Sequence, residues 1–128
     1  MRESMNGSSL RPNSAAGYAT VNLEEGRPLV DAAIKRATFH ISRAKRQGLA
    51  ALKFIHGYGS SGAGGRIRVE LRAYLDRLVR RGEIRLYVAG EQFDIFDAGT
   101  QRLMSACREV AKDSDLNRHN NGITVVLL

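Results

Sequence analysis

One stretch, Leu52-Lys-Phe-Ile-His-Gly-Tyr-Gly-Ser-Ser-Gly-Ala-Gly-Gly-Arg-Ile-Arg68, limits what this chain can fold into more than any other. Its apolar start reads as a buried strand. The run breaks at His56 into a loop carrying Gly57, Gly59, Gly62, Gly64 and Gly65. An amphipathic helix is then expected from about Arg66 to Arg81, with Ile67, Leu71, Tyr74, Leu75 and Leu78 on one face and Gly82 as its stop. A strand that feeds a glycine loop into a helix N-terminus is a common way to hold an anion, because the first helical N–H groups are unpaired and the dipole points its positive end outward. Arg66 and Arg68 fall in the first turn, where exposed cations oppose the macrodipole at ~0.3–1 kcal/mol each. An anion seated among them removes that conflict. The plainer alternative is a surface loop with solvated arginines.

The other elements follow from period and punctuation. Tyr18 to Leu23 has strand-forming residues, Pro28 suits the first turn of a helix, and Asp31 complements its dipole. Val30, Ala33, Ile34, Ala37, Ile41 and Ala44 recur at three and four, and Gly48 is a C-terminal stop. Ala51 to Ile55 is continuous and apolar, as a strand buried on both faces would be. A third strand is expected at Ile84 to Val88. Phe93, Ile95 and Phe96 then form an edge strand or a packed turn. Asp97 caps a third helix that turns Leu103, Met104, Cys107 and Val110 inward. Asp113 to Gly122 reads as a polar loop, and Ile123 to Leu128 closes a β-α-β-α-β-α-β order, in which parallel pairing of the first two strands is expected to set Glu24 and His56 at one crevice. At 128 residues this is one domain, with residues 1–17 expected as a disordered lead-in.

The formal charge of +7 is unevenly placed. Residues 27–85 hold fourteen basic and four acidic side chains, whereas the flanking segments are slightly acidic. A localised basic field attracts phosphate polymers, so DNA or RNA is the favoured partner. No apolar run approaches the roughly 20 residues of a membrane span, so no membrane association is expected. The single cysteine, Cys107, excludes an intrachain disulfide and fits a cytoplasmic setting.

Several chemistries are set aside. Gly57-Tyr-Gly-Ser-Ser-Gly62 spells GxGxxG, but no acidic residue ends the following strand, and the glycines follow the second strand instead of the first. No Gly-Lys-Ser/Thr follows for a P-loop, and no small-molecule cofactor is expected. No Cys, His or carboxylate pair has structural-metal spacing. His56 stands where a strand ends and an anion site begins. It is a candidate phosphate donor or general acid–base, or simply a histidine bonding loop backbone.

Phe54-Ile-His-Gly-Tyr-Gly59, continuing through Gly64-Gly-Arg-Ile-Arg68, resembles the Smr (small MutS-related) domain family, which has a His-Gly-x-Gly turn after its second strand. Val21-Asn-Leu-Glu-Glu-Gly26 stands where that family has a Leu-Asp-x-His-Gly strand end, and Gly122-Ile-Thr-Val-Val-Leu-Leu128 resembles its closing strand. Here Asn22 replaces the usual Asp and Glu24 the usual His, the loop Ser60 to Gly65 is longer, and a segment at about 91–121 is additional. The resemblance implies an α/β two-layer sandwich, with a four-stranded mixed sheet and helices mainly on one face. That arrangement is similar to the C-terminal domain of bacterial translation initiation factor three. It implies nucleic-acid binding through Lys53, His56, Gly57, Tyr58, Gly59, Gly62, Gly64, Gly65, Arg66, Arg68 and Arg72. The alternative it implies is phosphodiester cleavage, with His56 as general acid, Glu24 as base and a divalent metal as helper. A third reading is a protein-interaction module for an acidic or ribosome-associated partner.

Overall fold

The computed structural model describes residues 17–57 and 63–128, with residues 63 and 64 as backbone. The expected lead-in therefore lies, apart from Gly17, outside the described residues, as do Tyr58, Gly59 and Gly62. The chain forms β1 (Tyr18–Asn22), α1 (Val30–Arg46), β2 (Ala51–Ile55), α2 (Ala63–Arg80), β3 (Leu86–Ala89), α3 (Ala98–Ala106) and β4 (Ile123–Leu127). Short 3-10 turns at Gly90–Gln92 and Arg108–Lys112 flank α3.

The four strands form one mixed sheet in the order β1-β2-β4-β3. β1 and β2 are parallel, with Tyr18 opposite Ala51 and Asn22 opposite Ile55. β4 runs antiparallel between β2 and β3, pairing Ile123 with Ile55 and Thr124 with Ala89. The C-terminal ends of β1, β2 and β3 and the start of β4 therefore meet along one rim of the sheet, where the described candidate site residues other than Lys53 collect.

Alternation along the strands divides the core in two. Leu52, Phe54 and Val126 pack against Ala37, Ile41 and Ala44 of α1 and Leu71, Leu75 and Leu78 of α2. On the opposite face, Ala51, Val125 and Leu127 meet Phe93, Leu103, Cys107 and Val110. Two of the three helices thus lie on one face, as expected, and the additional segment covers the other. Among the described residues no helix is long and apolar enough to cross a membrane.

Element boundaries moved for physical reasons. α1 begins at Val30, because Leu29 remains extended (φ −66°, ψ 161°) after Pro28. α2 begins at Ala63, so Gly64 and Gly65 belong to its first turn and not to the loop. β3 starts at Leu86, after a buried Ile84 that enters the core ahead of the strand. The Gly90 to Asp97 segment resolves as a packed turn around buried Phe93, not an edge strand. Asp97 caps α3 as expected, its carboxylate accepting from the Thr100 N–H at 2.9 Å. That helix stops at Ala106, and Val110 reaches the core from the following 3-10 turn.

Candidate nucleic-acid interface

The ends of β1 and β2 that border the expected crevice lie side by side. Leu23 N–H donates to Ile55 O at 2.8 Å, carrying the β1–β2 pairing one step past the strands. The turn after β1 is set by the Asn22 side chain, which accepts from Glu24 N–H at 2.8 Å. This brings the Glu24 carboxylate against Gly57. Gly57 has φ +74°, and a Cβ there would lie 2.7 Å from Glu24 Cδ, so a glycine meets both the backbone and the steric requirement. The His56 and Gly57 N–H groups both donate to Gly122 O, at 2.9 and 3.0 Å, tying the loop entrance to the start of β4.

His56 is not an open acid–base group at this crevice. It is fully buried, with Nδ1 2.8 Å from Gly57 O and Nε2 2.8 Å from Thr124 Oγ1. A carbonyl only accepts, so Nδ1 carries the proton and Nε2 accepts from the Thr124 hydroxyl. Thr124 Oγ1 in turn accepts from Arg72 Nε at 3.1 Å. Burial, reinforced by the Arg72 and Arg68 charges, lowers the His56 pKa to about 4 against the hydrogen bond to Gly57. The ring is a neutral link between loop and sheet.

Its folded value lies below the ordinary value near 6.5. The stabilisation from keeping it neutral is complete above pH 6.5 and is lost as pH falls toward 4. Burial and the charges of Arg43 and Arg36 push His40 in the same direction. Thermal denaturation should show a falling midpoint across this window. A midpoint unchanged from pH 7 to about 4.5 would contradict the neutral assignment.

Arg72 is also committed to the fold. Its guanidinium makes a two-pronged pair with Glu91, with both N–O distances 2.9 Å, and Nη2 donates to Ile123 O at 3.1 Å. Partial burial of Glu91 works against ionisation, but the Arg72 hydrogen bonds hold its carboxyl below the usual range. Arg72 thus braces α2 to β4 and is not available to phosphate.

Lys53 is placed elsewhere altogether. It is 6% exposed on the α3 side of β2, away from the rim, with Nζ 2.7 Å from Asp113 Oδ1 and 2.5 Å from Asp115 Oδ2. Tyr18 OH donates to the other Asp113 oxygen at 2.7 Å, and Asn120 Nδ2 to Asp115 Oδ1 at 3.1 Å. Burial and the Asp113 charge push the Tyr18 phenol well up. Lys53 therefore serves the core in place of the phosphate contact expected of it.

Arg66 and Arg68 remain. Arg66 is exposed and Arg68 half-buried, both within the first two turns of α2, and neither is in an ion pair among the described residues. Arg68 lies close enough for its charge to be felt at both His56 and Glu91. Gly57, Gly65 and Glu24 complete the part of the rim that the structure describes. Among the described residues no cluster of three or more His, Cys, Asp or Glu side chains could hold a metal ion.

The sequence reading missed Thr124 and Glu91 as members of this network. Thr124 was visible as the lone hydroxyl in the apolar run Ile123 to Leu127. Glu91, just past the third strand, carries no comparable mark in the sequence. No family, curated protein or solved structure matches the chain.

Proposed function

We propose that this chain is a nucleic-acid-binding domain of the Smr type, which holds backbone phosphates at the rim where β2 passes into α2. One observation carries the reading: among the described residues Arg66 and Arg68 stand without ion-pair partners at a helix N-terminus, whereas Arg72 and Lys53 are each committed to carboxylates. Two cations in the first turns of a helix oppose its dipole, and a bound phosphate reverses the sign of that interaction. Glu24 sets the direction of approach. Its carboxylate beside Gly57 repels phosphate from the β1 side and favours the Arg66–Arg68 side. A reducing compartment such as the cytoplasm suits the buried Cys107 thiol.

Cleavage has weaker support. Glu24 is positioned at the crevice, but enclosed His56 offers no proton to a leaving group there. We therefore expect binding without efficient hydrolysis, with or without magnesium.

The double variant Arg66→Ala/Arg68→Ala should weaken binding to all sequences alike. The slope of log affinity against log salt should fall by about one to two. Fluorescence polarisation across a salt series, on single- and double-stranded DNA and RNA, measures both. Unchanged affinity and slope would remove the site. Magnesium-dependent turnover lost in Glu24→Gln would replace the binding reading with an enzymatic one.

A further inference from the structure

α1 carries a second feature that the rim does not use. Its buried stripe of Ala33, Ala37, Ile41 and Ala44 faces the sheet. The opposite stripe steps through Lys35, Phe39, Arg43 and Arg46, at spacings of four, four and three. Phe39 is 52% exposed in the middle of it. The Arg43 guanidinium carbon lies 6.0 Å from the ring centroid, and the His40 ring meets Phe39 edge-on at 5.2 Å. The helix holds five basic side chains and a single acidic one, Asp31, in its first turn. Lys35, Arg43 and Arg46 have no ion-pair partner among the described residues.

We infer that this stripe is a stacking track for single-stranded nucleic acid, an inference that rests on the binding function proposed above. Cations alone fit any phosphate polymer. An aromatic ring projecting from among them gains contact only from bases that are unstacked and turned outward, which a duplex does not present. Every base has a π-face, so the track is tolerant of sequence and selective for strandedness. The guanidinium over Phe39 can sandwich the ring or pass to a phosphate when a base arrives.

The track also joins the rim. Arg66 lies about two turns before Tyr74 on α2 and about a quarter-turn round the helix from it, and the Tyr74 hydroxyl is hydrogen-bonded to Thr38 of α1 at 2.9 Å. A strand held at Arg66 can therefore continue from α2 onto α1.

The test compares a fluorescein-labelled oligothymidylate of about fifteen nucleotides with a duplex of equal length, using the full chain. The native protein should prefer the single strand. Phe39→Ala should weaken single-strand binding about five- to a hundredfold while changing duplex binding less than about twofold, and Phe39→Tyr should restore it. Circular dichroism keeps folding in view, and little change is expected at a half-exposed ring.

Equal affinity for both forms, with Phe39→Ala silent and Arg66→Ala/Arg68→Ala still damaging, would overturn the track and leave the rim site standing. Failure of the native protein to bind any nucleic acid would overturn both. Binding to phosphatidylserine-containing vesicles that is lost in Phe39→Ala, without single-strand preference, would reassign the stripe to a membrane surface and overturn the track.

Discussion

Lys53→Ala should destabilise the domain by about 3–5 kcal/mol, the usual cost of removing one partner from a buried charge pair. Lys53 is enclosed between β2 and the segment after α3, where Asp113 and Asp115 both bond its ammonium. Alanine leaves two carboxylates facing each other. Asp113 is 5% exposed and Asp115 24%, so solvent screens them poorly. Hydrogen bonds from Tyr18 and Asn120 remain but carry no compensating charge. Urea denaturation followed by circular dichroism measures the loss. A change under about 1 kcal/mol would place the pair in the class of weak surface bridges. Combining Lys53→Met with Asp113→Asn and Asp115→Asn should recover most of the stability, because no buried charge is then left unmatched. Nucleic-acid affinity per folded molecule should not change in either variant, which separates this lysine from the arginines of the rim.

Gly90→Ala should be comparably severe, at about 3 kcal/mol or more. The reason is steric, since no positive φ is involved. A Cβ at Gly90 would be driven into Asn120 O and lie 2.8 Å from Ile123 O and 2.7 Å from Ile123 Cγ1. Two of these atoms are backbone and cannot rotate away. Gly90 would have to part from residues 120–123, whose Gly122 O accepts from both His56 and Gly57. The Arg72–Glu91 pair sits one residue on and would move with it. The thermal midpoint should drop by well over 5 °C, and affinity for nucleic acid should fall along with it. Gly57→Ala is milder. The obstacle there is the end of the Glu24 side chain, which can swing aside, so the cost is mainly that of a strained φ, about 1 kcal/mol. A Gly90→Ala protein as stable as the native one would show that this packing is looser than described.

Much of the architecture was legible because period and punctuation agreed. Ala51 to Ile55 has the expected ends, and the Asp97 cap and Gly48 stop follow from their local chemistry. Strand order was legible only in part: the parallel pairing of β1 and β2 and the mixed character of the sheet were expected, but the place of β4 between β2 and β3 was not, because pairing across sequence leaves no local mark. The polar roles failed for a related reason. A lysine in a strand read as buried on both faces already demanded counter-charges, and Asp113-Ser-Asp115 lay downstream, but only the fold brings the two together. His56 and Arg72 looked like ligand groups because sequence shows which side chains are chemically capable and not which are already satisfied. Arg66 and Arg68 are the named cations that no ion pair occupies among the described residues, and the proposal rests on them for that reason.

The insertion of β4 between β2 and β3 has a consequence for synthesis on the ribosome. β1 through α3 emerge from the exit tunnel first, yet until residues 123–127 follow, β2 and β3 have no common neighbour and the sheet is split. Gly122, Ile123 and Thr124 also anchor Gly57, Arg72 and His56, so the rim takes shape only with that last strand. A nascent chain stalled before residue 123 should therefore be protease-sensitive and silent toward nucleic acid. Protease resistance and binding should appear together once a longer tether has carried β4 clear of the tunnel.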